Sequence, residues 1–120
     1  MANETTRAHL LASLGDIEGL ASRLRATGPQ SSGLALVRMM VDRRAFLADE
    51  LAWADRRAHT ADVAEVDVLT GYRLLLTKAL VSTERMLAAY PVEDLQSAAD
   101  AGYALGQLVA LRTDVEQLDG

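Results

Sequence analysis

An all-α fold, an up-down bundle of four helices, is what this chain predicts, and three observations predict it. Half of the 120 residues are apolar but only 4% are aromatic, with Ala and Leu dominant and Phe present once. That composition, poor in β-branched runs and holding two prolines, favours helices over strands. Apolar residues recur at three- and four-residue spacing through most of the chain. Breaks in that pattern fall at three places only: 28–33, 59–62 and 90–91. The length fits one helical domain over residues 1–120, with enough chain to bury a core. Oligomerisation could complete the bundle.

The first helix is expected over about 4–27, capped by Asn3, Thr5 or Thr6. Its apolar line is Leu10, Leu14, Ile17, Ala21 and Leu24, a narrow stripe of the bundle kind. A second face is built of small residues, among them Gly15 and Gly19. Glycine weakens a helix by about 1 kcal/mol relative to Ala, so either the helix is locally loose there or another backbone comes close. Gly28-Pro29-Gln30-Ser31-Ser32-Gly33 is the clearest loop.

The second helix, about 34–58, holds the only Phe and the only Trp. It shows two apolar surfaces where a surface helix ordinarily shows one. The wide one carries Leu36, Val37, Met40, Val41, Leu47, Ala48 and Leu51. Nearly opposite runs a stripe of Met39, Phe46 and Trp53, each seven residues from the next. Aromatic and Met side chains are enriched at protein interfaces, so this stripe is an expected interface.

A turn at 59–62 is the least marked boundary, since it contains neither Gly nor Pro. Without it a helix from 33 to 90 would run about 87 Å at 1.5 Å per residue, too long for a monomer of this size. Thr60, with Asp62 and Glu65 after it, supplies a start signal for a third helix over about 61–89. That helix is apolar over most of its circumference. Val66, Leu69, Leu76, Leu80 and Leu87 form one line; Val68, Leu75, Ala79 and Met86 a second; Val63, Leu74 and Val81 an opposed patch. Tyr90-Pro91 ends it. A fourth helix, about 92–118, opens on Pro91, Glu93 and Asp94. Its apolar face is Leu95, Ala98, Gly102, Leu105 and Val109, drifting to Leu108, Leu111, Val115 and Leu118. The drift fits left-handed supercoiling. Gly102 and Gly106 suggest that the small faces of the first and fourth helices pack together.

Charge and composition exclude several functions. The net charge is −5 and the isoelectric point about 4.9, which argues against nucleic acid and against anionic membranes as partners. There are no cysteines, hence no disulfide framework and no thiol chemistry. No apolar run reaches membrane-spanning length. The N-terminal stretch has no basic-then-apolar signal pattern, so the cytoplasm is the expected location.

Candidate chemistry is sparse. Arg44 lies on the wide apolar surface, and a buried Arg needs an anionic partner. With Arg73, Thr77 and Glu84 of the third helix it could hold a small carboxylate or phosphate, because Arg forks match oxyanions. A structural Arg–Glu pair is the plainer reading. Asp55, His59 and Asp62, at i, i+4 and i+7, would share a face for a divalent metal only on an unbroken helix. His9 has the look of a phosphoacceptor on a bundle helix, but its neighbours at helical spacing lack a basic residue. Asp49, Glu50, Asp62 and Glu65 are carboxylates without the repeated spacing of a metal-dependent hydrolase. No phosphate-cradling loop or nucleophile motif is present. The expectation is therefore a non-enzymatic interaction or assembly module without a cofactor. It would self-associate, or bind another protein, through helices two and three; the alternative is a small-anion-binding bundle using Arg44, Arg73 and Glu84.

Overall fold

Helix propensity, capping and apolar spacing resolve into four long helices in the computed structural model, which describes residues 2–27 and 33–118, with side chains from 6 to 23 and from 33 to 118. They are α1 (Ala2–Thr27), α2 (Gly33–Ala58), α3 (Val63–Ala89) and α4 (Leu95–Ala110), followed by a short α5 (Arg112–Glu116). Among the described residues there is no strand. The expected loop at 28–32 and the side chains of Leu24 and Ala26 lie outside the described residues.

α2 and α3 are separate helices. His59 and Thr60 close the last turn of α2 through backbone bonds to Arg56 and Arg57. Asp62 then caps α3, its side chain accepting from the Glu65 N–H at 3.0 Å. The long axis of the molecule is 45 Å, close to the about 39 Å of one 26-residue helix. α3 packs along α2 on one side and α4 on the other, and α1 lies mainly against α4 and α5. α1 touches α2 less than it touches α4 or α5.

The core gathers Leu10, Leu14 and Ile17 of α1, Leu47 of α2, Leu69, Tyr72 and Leu76 of α3, and Leu105 and Leu108 of α4. Val115 and Leu118 fold back onto it. Several expected faces turn out rotated. The buried seam of α2 is Met40, Arg43, Leu47, Glu50 and Ala54, which lies between the two apolar surfaces read from the sequence. Val41 and Ala48, expected inside, are exposed. In α4 the buried residues are Ser97, Ala101, Ala104, Leu105 and Leu108, while Leu95, Ala98 and Gly102 face outward. The short side chains of Ala101 and Ala104 leave little bulk between α4 and its neighbours.

α4 also begins later than expected, because Asp94 accepts from both the backbone and the hydroxyl of Ser97. Pro91 sits in the preceding turn. The small-residue faces do not pack together: a Cβ added at Gly15, Gly19, Gly102 or Gly106 would meet nothing within 4 Å. Those glycines leave open surface instead of a close helix contact.

Candidate functional site

Three polar positions on the α2 seam define the interior chemistry of the bundle. Arg43, Glu50 and Arg57 are seven residues apart, so all three turn toward the inside. They meet very different surroundings.

Glu50 is buried where α1, α2 and α3 meet. Its Oε2 accepts from the Ser13 hydroxyl at 2.8 Å and from the Tyr72 hydroxyl at 2.8 Å. His9 Nε2 lies 3.0 Å from the same oxygen and 3.2 Å from Oε1. The His9 ring stacks on Trp53 with centroids 3.6 Å apart. Burial first, and then the negative charge of Glu50, push the Tyr72 hydroxyl far above its ordinary value, so it remains a donor at any working pH. One carboxylate thus ties three helices together.

Two turns further on, Arg57 and the wholly buried Glu65 make the second cluster. Arg57 reaches Glu65 Oε2 at 3.1 Å, and its Nε donates to the Thr6 hydroxyl at 2.6 Å. Thr6 in turn donates to Glu65 Oε2 at 2.8 Å. Each acceptor has a donor from another helix, as a buried polar group requires.

Arg43 is the exception. It is 3% exposed, and none of its three guanidinium nitrogens has a hydrogen-bond partner among the described residues. Burial lowers its pKa from the ordinary value, yet a guanidinium keeps its charge in proteins. It borders a cavity of about 10 Å³ walled also by Leu20, Arg23, Met39, Met40 and Asp42. Beside that lies an open cleft of about 420 Å³ between α1 and α2, lined by Gly15, Gly19 and Phe46 among others.

The residues singled out from the sequence do not converge. Arg44 is exposed, one position away from the buried Arg43. The cause is the rotation of the α2 seam by roughly 60° at 100° per residue. Arg73 is held by Asp55 at 2.7 Å on the surface. Thr77 donates back to the Arg73 carbonyl at 2.8 Å, and Glu84 is exposed. Asp55, His59 and Asp62 are split by the turn: His59 Nδ1 lies 2.8 Å from the Asp55 carbonyl and Asp62 serves as a cap. Among the described residues no group of three His, Asp or Glu side chains is placed to hold a metal. His9 is tied to Glu50, Asp49 is exposed and Glu65 is bound to Thr6 and Arg57.

The Met39/Phe46/Trp53 stripe, expected at an interface, is half-buried along α1. Trp53 lies under His9, and Met39 and Phe46 line the cavity and the cleft. The open apolar surface is elsewhere, on α3. Val63 is 82% exposed, Leu74 58%, Val81 40% and Val66 36%. Thr70 and Thr77 lie between them and spend their hydroxyls on the Val66 and Arg73 carbonyls, which leaves their methyl groups to the surface. On the adjoining α2, Val41, Ala45, Ala48 and Ala52 are exposed at 4-3-4 spacing. Among the described residues no helix is long and apolar enough to cross a membrane.

Neither a known protein family, nor a curated protein, nor a solved structure matches this chain.

Proposed function

We propose that this protein is a non-enzymatic assembly module that self-associates through the outer faces of α2 and α3. One observation carries the reading: an exposed row of Val63, Val66, Thr70, Leu74, Thr77 and Val81 on a helix whose opposite face is already the core. The spacing 3-4-4-3-4 is that of a helix-packing seam. The row runs over 19 residues, Val63 to Val81, about 27 Å of helix. With the exposed alanines of α2 beside it, the face measures roughly 27 Å by two helix widths of about 10 Å, on the order of 500 Å². That approaches the about 800 Å² that each partner contributes to a standard interface. Scattered exposed apolar residues are ordinary; a row of them at helix-packing spacing along one face marks a candidate interaction surface.

Interior polarity supports the non-enzymatic reading. Glu50 and Glu65 are engaged by side chains of the protein itself, as structural ion pairs are.

Sedimentation velocity over a range of concentrations tests the proposal. The parent chain is expected as a dimer or larger species, and Leu74→Glu as a folded monomer by circular dichroism. A parent that sediments as a monomer up to high concentration, or a Leu74→Glu variant that associates as well as the parent, contradicts it.

A further inference from the structure

A buried guanidinium without an acceptor is costly. The penalty for taking one charge out of water is several kcal/mol, and it is offset only by a well-placed counter-charge. Seven residues away Glu50 shows how this fold satisfies such a charge, with three donors on one carboxylate. Arg43 has the same kind of position and none of the partners. Asp42 and Arg23 share its cavity wall, and no nitrogen of Arg43 is hydrogen-bonded to either.

What adjoins Arg43 is space of a particular shape. The cavity of about 10 Å³ is near the size of a single water-sized group, so it accepts one oxygen atom and little more. The cleft of about 420 Å³ falls within the range of small-molecule pockets. The two share Leu20, Arg23 and Asp42. The cleft exists because Gly15 and Gly19 present bare backbone there, with no atom within 4 Å of where a Cβ would stand. Phe46 and Leu20 supply apolar wall. Asp16 and Asp42 stand on its rim, which disfavours a multiply charged anion.

We propose that the α1–α2 cleft binds a small monocarboxylate with an apolar body, its carboxylate at the Arg43 guanidinium and its body along Gly15, Gly19, Leu20 and Phe46. One carboxylate oxygen fills the small cavity at Arg43 and accepts charge-assisted hydrogen bonds from its guanidinium. The site is independent of the α2–α3 outer face, so either proposal can fail alone.

The test uses the full chain with hexanoate and benzoate as probes, read by melting temperature and by backbone amide shifts. Hexanol supplies the body without the charge, acetate the charge without the body, and inorganic phosphate a multiply charged anion. At tenfold excess over the dissociation constant, hexanoate or benzoate is expected to raise the melting temperature by about 5 °C and to move the amides of 19–20, 42–43 and 46. Arg43→Met should bind at least about tenfold more weakly, since a charge-assisted hydrogen bond is lost. Gly19→Leu, which fills the cleft and leaves Arg43 in place, should also lose hexanoate binding. The proposal is overturned if neither carboxylate shifts the protein, if Arg43→Met binds hexanoate as the parent does, or if hexanol or phosphate binds as well as hexanoate.

Discussion

The two ends of α2 face the same interior and treat charge in opposite ways. From Glu50 to Arg57, each inward-turned charge is met by side chains from α1 and α3. From Met39 to Phe46, the inward-turned Arg43 meets apolar wall and an adjoining cleft. The helix, its seam and the seven-residue repeat are common to both. The difference lies in α1. At Thr6, His9 and Ser13 it carries hydroxyl and imidazole groups across from the acidic residues. At Gly15 and Gly19 it carries nothing that could reach across. A charge surrounded by partners is part of the architecture; a buried charge without them, beside a cleft, is what the proposed carboxylate site rests on.

Substitutions separate the two ends. The largest effect belongs to Glu65→Ala, which strands Arg57 in a partly buried site and removes the acceptor of Thr6; breaking such a pair costs about 3–5 kcal/mol. Urea unfolding should show a correspondingly lower midpoint. Tyr72→Phe removes one donor from Glu50 and should cost about 1.5–3 kcal/mol by the same measurement. Arg43→Met reverses the pattern. Without ligand it should leave stability unchanged or raise it, because an apolar side chain of similar length replaces an unpaired buried charge. A loss as large as that of Glu65→Ala would mean that Arg43 has a partner inside the bundle. Asp94→Ala, outside both ends, should show the smallest change and a pH signature. Backbone and side-chain bonds from Ser97 hold the Asp94 carboxyl below its ordinary 3.8. A depressed folded pKa gives stability present above that ordinary value and lost as pH falls through the lower one. The gap between parent and variant in thermal melts should therefore be full at neutral pH and close in strong acid.

How legible these ends were in the sequence differs as well. Helix positions follow from Gly, Pro and cap residues, and the turn at His59–Thr60 from the length of the alternative and from Thr60 read as a cap, a place that Asp62 takes in the structure. The α1 line of Leu10, Leu14 and Ile17 is buried as its spacing implies. The α2 seam is another matter. Counting apolar residues alone centres the face near Leu51 and places Arg44 in its middle. The true seam alternates Met40, Leu47 and Ala54 with Arg43, Glu50 and Arg57. A heptad whose second core position is charged is invisible to a hydrophobicity count. The repeat Arg–Glu–Arg at seven-residue spacing was the available signal. The partners of those charges, Thr6, Ser13, Tyr72 and Glu65, come from other helices, and pairings across helices are set by packing.

α1 takes Trp53 and part of Phe46, and Val63, Leu74 and Val81 are left facing outward. Self-association through that face is the central claim, and the absence of native cysteine allows a direct measurement. A spin label attached to Lys78→Cys, on the flank of the α3 row, is mixed with isotope-labelled, label-free parent chain. Self-association through this face predicts intermolecular broadening of amides on the α2 and α3 outer faces, including those near 70–81. Absence of broadening at concentrations where the chain sediments as an oligomer, or broadening confined to α1 and α4, would contradict it.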